Sequence, residues 1–265
     1  MHIPRAFPRS PEELTSAKKC MPSCYSCRCC CRSPKLFAFL LFVALPLSIA
    51  MASNTLIAVK SALRKDVKSC LKTMSPEEIE GKSGAIVSRL FAMPAYAKSQ
   101  VVCCYLSMPS SEVMTAAIVQ SCFDAHKRLF IPKVTGKEAR DIHMLEVVNE
   151  VQLQSFPKSK WGIPEPPMEL VAAHPDGSEL GIIDLVILPG IAFDAACHRL
   201  GHGKGYYDCF LDRLIARNLE CSGPVPALIG LAFDEQIVDS IPIEAHDKRL
   251  DFIITPTTTY STGNK

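Results

Sequence analysis

A nearly unbroken apolar run, IDLVILPGIAFD (Ile183–Asp194), leaves this chain few folds to choose from. A strand with one wet face alternates apolar and polar residues, and this run offers no such face between Leu185 and Phe193. Read as a single strand over Ile183–Asp194, it belongs inside a parallel sheet covered on both sides. The remaining sequence supplies the cover. TLIAVKSALRKDVKSCL (Thr55–Leu71) has apolar residues at helical spacing, with Lys60, Arg64, Lys65 and Lys68 on the other side. MSPEEIEGKSGAIVSRLFAM starts a second helix, with Ser75 as N-cap, Pro76 at the first position and acids in the first turn. VVCCYLSM (Val101–Met108) is of strand length. SSEVMTAAIVQSCFDAHKR then reads as a helix, LFIPKV as a strand and HMLEVV (His143–Val148) as a further strand. FPKSKWGIPEPP (Phe156–Pro167) is a proline-rich loop, YYDCFLDRLIARNL a helix, and ALIGLAF and DFIITP two more strands. Strands alternating with helices predict an α/β fold. The expected form is a single three-layer domain over residues 51–265, a mostly parallel sheet with helices on both faces.

Charge and cysteine separate residues 1–50 from this body. The chain of 265 residues has a net charge of +2. The basic excess sits in Arg5, Arg9, Lys18, Lys19, Arg28, Arg32 and Lys35, against the two acids Glu12 and Glu13. The body is therefore slightly acidic, and its aromatics are not interleaved with a basic stripe, which argues against nucleic acid as a partner. Of the 13 cysteines, six lie between Cys20 and Cys31. Cys24 and Cys27 form a C-x-x-C pair with no second pair or histidine at zinc-finger spacing. The others are scattered among apolar residues, as expected of reduced thiols in a cytosol-like compartment. LFAFLLFVALPLSIA (Leu36–Ala50) carries no charge but falls short of the roughly 20 residues a spanning helix needs, and Pro46 interrupts it. Residues 1–50 are read as a leader outside the fold. Cytoplasmic location is the expectation; a membrane anchor or organelle targeting through this leader is the alternative.

The chemistry concentrates in RLGHGKGYYDCFL (Arg199–Leu211). Gly201, Gly203 and Gly205 alternate where a strand gives way to a helix, the usual place for a ligand in such a sheet. Backbone amides there, with the positive end of the helix, form an anion cradle. Lys204 and Arg199 add full charges and His202 a partial one. The spacing fits neither the Walker A loop nor the dinucleotide fingerprint. Of Tyr206 and Tyr207, one can face the core while the other lines a pocket, and Asp208 offers hard oxygen to a magnesium ion. His126, His143, His174, His198 and His246 show no ligand spacing, and Asp184 and Asp194 read as turn caps.

LPGIAFDAACHRLGHGKGYYDCFL resembles the signature of the 5-formyltetrahydrofolate cyclo-ligase (methenyltetrahydrofolate synthetase) family. KSALRKDVKSCLKTMSPEE, CYLSMPSSEV, FPKSKWGIPEP and LAFDEQIVDSIPIEAHDKRLDFIITP are similar to other family segments in the same order, from about Lys60 to Pro256. The resemblance implies the three-layer fold also used by sugar-phosphate isomerases and coenzyme A transferases. It implies Mg2+- and ATP-dependent cyclisation of 5-formyltetrahydrofolate, with or without a polyglutamate tail, through a phosphorylated formyl group. ATP would meet Lys60, Ser61, Ala62, Leu63 and Arg64, together with Arg199, Leu200, Gly201, His202, Gly203, Lys204, Gly205, Tyr206 and Tyr207. The folate would meet Arg64, Leu106, Glu112 and His202 to Tyr206. Lys204 and Tyr206 would be catalytic, and Asp208 and Asp247 would hold Mg2+. Trp161 lies against the pteridine or only packs. His202 stands where relatives often carry arginine, and MPSSEV is one residue longer than the family pattern. Two other readings stay open: an isomerase or transferase relative, for which Asp208 and Asp247 have no shared task, and a non-catalytic folate binder tethered through Leu36–Ala50.

Overall fold

The computed structural model describes residues 55–160 and 162–263. The expectations for Cys24, Cys27, the apolar segment 36–50 and Trp161 fall outside them. Among the described residues no helix is long and apolar enough to cross a membrane.

Helix α1 covers residues 55–71. Helix α2 (Pro76–Phe91) starts as its sequence dictates: Ser75 and Glu78 form a reciprocal capping box, with Pro76 at the first position. Short α3 (Pro94–Lys98) leads into β1 (Val101–Cys104), α4 (Ala116–Asp124), β2 (Arg128–Val134) and β3 (Ile142–Val147). Then come α5 (Glu150–Ser155), α6 (Met168–Ala173), β4 (Leu185–Leu188), β5 (Ala192–Asp194), β6 (Arg199–Leu200) and α7 (Tyr206–Glu220). Strands β7 (Ala227–Leu231), β8 (Ile237–Val238), β9 (Phe252–Ile254) and β10 (Thr259–Ser261) complete the order.

Seven strands form the main sheet in the order β10-β9-β7-β4-β1-β2-β3. The five central ones are parallel; β3 and β10 run antiparallel at the edges. Alternate residues divide the core in two. Val102, Cys104, Leu129, Ile131, Leu185 and Ile187 pack with α1, α2 and α4 through Val67, Ile86, Leu90 and Ile118. Val101, Cys103, Phe130, Val186 and Leu188 pack on the other face with Phe210, Leu211 and Leu214 of α7. Helices therefore cover both faces, as the apolar run of β4 requires. Each fully buried aliphatic side chain adds about 1.5–3 kcal/mol.

Two expectations need correction. Ile183–Asp194 is not one strand. It breaks at Pro189–Gly190, because proline has no N–H to continue the ladder. β4 stays in the main sheet, and β5 joins β6 and β8 in a separate three-stranded sheet. The helix expected from Ser110 begins only at Ala116. Ser111, at φ 74°, lies in the preceding loop.

The chain moves outward from β1 to β2 and then returns to place β4 on the other side of β1. A crevice opens at such a reversal, beyond the carboxyl ends of the strands. The loops after β1 and β4 border it.

Candidate functional site

At the end of β6 the chain turns through Gly201–Gly205 and enters α7. Gly203 and Gly205 take φ of +87° and +70°, backbone that side chains with a Cβ rarely adopt. Gly205 is the N-cap of α7, and no side chain caps that end. The first amides of this 15-residue helix therefore have no capping side chain, the kind of helix start at which anions can bind. Gly203 is also held from outside: a Cβ there would lie 3.3 Å from the Arg64 guanidinium carbon. Arg64 Nε donates to the Gly201 carbonyl at 2.8 Å, so α1 grips the loop.

A cavity of about 1210 Å³ surrounds this loop. Lys60, Arg64 and Lys68 of α1 line it, as do Leu106 and Glu112 after β1, all residues from Arg199 to Asp208, and Asp247. Ser61, Ala62 and Leu63 do not. Positions four apart share a helix face, which keeps Lys60 with Arg64 and turns the three between them away. Ser61 and Ala62 are exposed, and Leu63 packs on the core.

Lys60 is 7% exposed. Its Nζ donates to Glu244 Oε2 at 2.8 Å and Asp247 Oδ2 at 2.7 Å. Burial works against its charge, but the two carboxylates outweigh burial and raise the lysine above its ordinary pKa. Burial likewise pushes Asp247 up, while hydrogen bonds from Lys60 and the Glu244 N–H more than reverse that. Ligand atoms of Glu244, His246 and Asp247 all lie within 4.8 Å of one another. Asp208 is not in that group. Its Oδ1 accepts from Arg199 Nη2 at 2.9 Å. The Arg199 side chain is only 3% exposed, and its guanidinium lies over the Tyr207 ring at 5.5 Å. Arg199 thus points into the protein. Tyr207 is the inward tyrosine, its hydroxyl pushed well above the ordinary pKa mainly by burial. Tyr206 donates its hydroxyl to the Gly136 carbonyl at 3.0 Å.

Lys204 is exposed and, among the described residues, has neither hydrogen bond nor ion pair. Partial desolvation, then the charges of Lys68, Arg64 and Arg199, hold His202 below its ordinary pKa, which works against the partial charge expected of it. Glu112 accepts from the Met108 N–H at 2.8 Å, yet burial keeps its carboxyl above the usual range.

Three contributors escaped the sequence reading. Glu244 and His246 sit beside Asp247 in the run EAHD, whose clustering was the available signal. Asp194 does more than cap a turn. Its Oδ1 accepts from the N–H groups of Ala196 and His198, and its Oδ2 accepts from the Ile241 N–H and lies 3.0 Å from His198 Nδ1. One buried carboxylate therefore ties the hairpin that leads into the glycine loop to the segment that leads to Glu244.

The profile of the 5-formyltetrahydrofolate cyclo-ligase family matches residues 56–256. The chain is similar to the probable 5-formyltetrahydrofolate cyclo-ligase of Caenorhabditis elegans, 36% identical over 199 residues, covering 74% of this chain and 92% of the relative. It is 32% identical over 204 residues to 5-formyltetrahydrofolate cyclo-ligase of Mus musculus, covering 77% and 97%. Among solved structures it is similar to 5,10-methenyltetrahydrofolate synthetase of Aquifex aeolicus, with TM-score 0.58, 27% identity and coverage of 78% of this chain and 94% of that one. The sequence signature, the fold around its glycine loop and these matches agree: the chain belongs to the 5-formyltetrahydrofolate cyclo-ligase family.

Proposed function

We propose that this chain is the ligase that closes 5-formyltetrahydrofolate to 5,10-methenyltetrahydrofolate, using Mg2+ and ATP and releasing ADP and phosphate. The observation that carries the reading is one cavity holding both a glycine loop with a free lysine and a half-buried carboxylate, Glu112. A formamide oxygen is a poor leaving group. Transfer of the γ-phosphoryl group onto it produces an iminium phosphate. N10 then attacks the formyl carbon, loses its proton, and phosphate departs with the former formyl oxygen. Such a transfer depends on positioning and on neutralising charge.

The residues divide that work. Amides of Gly201–Gly205 and the start of α7 take the phosphates, and Lys204 supplies an ammonium to the terminal one. Arg64 keeps the loop in shape and adds charge. Tyr206 stands beside the reacting groups. Leu106 packs on the folate, and Glu112 accepts from its ring N–H groups. Mg2+ when bound neutralises phosphate oxygens, and the donor set suits it, because it prefers hard oxygen ligands. Asp247 with Glu244 would hold it, and Asp208 lines the same cavity. The catalytic unit would be residues 51–265. The seven free cysteines among the described residues support a reducing, cytosol-like compartment.

The test is to give the full chain 5-formyltetrahydrofolate with Mg-ATP and to follow methenyl-folate absorbance and ADP. Equimolar appearance of both is the expected result. Folate binding with neither product would favour the non-catalytic reading and reject this one.

A further inference from the structure

Among the described residues, Glu244, His246 and Asp247 are the group close enough together to hold a divalent cation, and two of their oxygens already hold a cation of the chain itself. The Lys60 ammonium is seated on Glu244 Oε2 and Asp247 Oδ2, at 2.8 and 2.7 Å. The Lys60 side chain is 9% exposed and that of Asp247 21%, so the lysine is sheltered although Glu244 reaches solvent at 38%. A divalent ion on those oxygens would sit within a few ångströms of the ammonium, like charge against like. An ion arriving alone would have to displace an ammonium that loses both its partners in a poorly hydrated position. A nucleotide changes the balance. Lys60 lies one helical turn from Arg64, which is hydrogen-bonded to the glycine loop, so phosphates at that loop give the ammonium another anion to face.

We propose that Lys60 is a built-in counter-ion that keeps divalent cations off Glu244 and Asp247 until nucleotide phosphates draw its ammonium away, so that metal enters with the nucleotide rather than before it. The inference rests on the Mg-nucleotide reading of this cavity. It adds an order of binding, and it gives Glu244 a part that the sequence signature does not.

The test is metal binding, not turnover. Mn2+ is titrated into the full chain without nucleotide or folate and followed by its spin-resonance signal, for the natural protein, Lys60→Met and Lys68→Gln. Lys68 lines the cavity from the same helix but makes no ion pair among the described residues. The natural protein is expected to bind Mn2+ weakly. Lys60→Met should bind it at least about tenfold more tightly, because a unit charge only a few ångströms from the metal position is removed. Lys68→Gln should change affinity less than about threefold, since its charge is solvated. Equal affinity in Lys60→Met and the natural protein would overturn the proposal, as would an equal gain in Lys68→Gln. Should Lys60→Met fail to fold, the natural protein still decides: a non-hydrolysable ATP analogue should raise Mn2+ affinity well beyond what that analogue achieves in buffer alone. A failure here beside normal methenyl-folate formation would remove the counter-ion role and leave the proposed activity standing.

Discussion

At the scale of single residues, the cations of the cavity differ in what they are free to do. Arg199 is buried and committed to Asp208, Arg64 holds a loop carbonyl, and Lys60 is matched by two carboxylates. Lys204 alone among these four is exposed and without a partner in the described residues. A charged group without hydrogen bond or ion pair in the described residues, on a loop proposed to bind phosphate, is free to take its partner from the ligand. Lys204→Ala is expected to lower kcat by about 10²–10³-fold, the usual cost of one donor to developing charge. Its unfolding free energy from urea titration should match that of the natural protein to within about 0.5 kcal/mol, as for an exposed side chain. A large loss of stability, or a rate close to that of the natural protein, would remove Lys204 from the chemistry.

At the scale of elements, the site depends on a hairpin too short to hold itself. Strands β5 and β6 share only the pairs Ala192–Leu200 and Phe193–Arg199. Asp194 supplies what the ladder lacks by accepting from three backbone N–H groups. Burial raises this carboxyl's pKa, but hydrogen bonds from the His198 and Ile241 N–H groups and from the His198 ring outweigh burial and leave it below the ordinary value. A depressed carboxyl stabilises the fold above its unfolded value of about 3.9, and that contribution is lost as pH falls through the lower folded value. Asp194→Asn should therefore cost about 1–3 kcal/mol at neutral pH. It should also show a shallower fall in urea stability below about pH 4 than the natural chain. Parallel acid profiles for the two proteins would show that Asp194 has no such role.

The same hairpin marks a limit of what could be read from sequence. The apolar run of β4 announced a sheet covered on both faces, and alternate residues of β1, β2 and β4 do feed two separate cores. Ser75, Pro76 and Glu78 announced α2 by local chemistry. Local signals of this kind survive because their partners lie within a few residues. The break at Pro189–Gly190 was visible as a proline and a glycine, but apolar continuity outweighed it. Burial cannot distinguish one long strand from two short ones in different sheets.

At the scale of the whole molecule, the site is assembled from segments that no spacing rule connects. Lys60 meets Glu244 and Asp247 across 184 and 187 positions of chain. The glycine loop was legible because one segment carries it whole. The Lys60 and Arg199 ion pairs were not, because the three-dimensional path of α1, β6 and the loop before β9 decides them. That path brings the glycine loop and a cavity of about 1210 Å³ together beyond β1 and β4, and direct transfer of phosphate to a formyl oxygen, as proposed above, needs both ligands in that one cavity. The most direct test is to place a heavy-oxygen label on the formyl group of 5-formyltetrahydrofolate and to analyse the phosphate released with Mg-ATP. The account predicts that the label leaves in phosphate, in step with methenyl-folate. Label released to water, with phosphate carrying none, would contradict it.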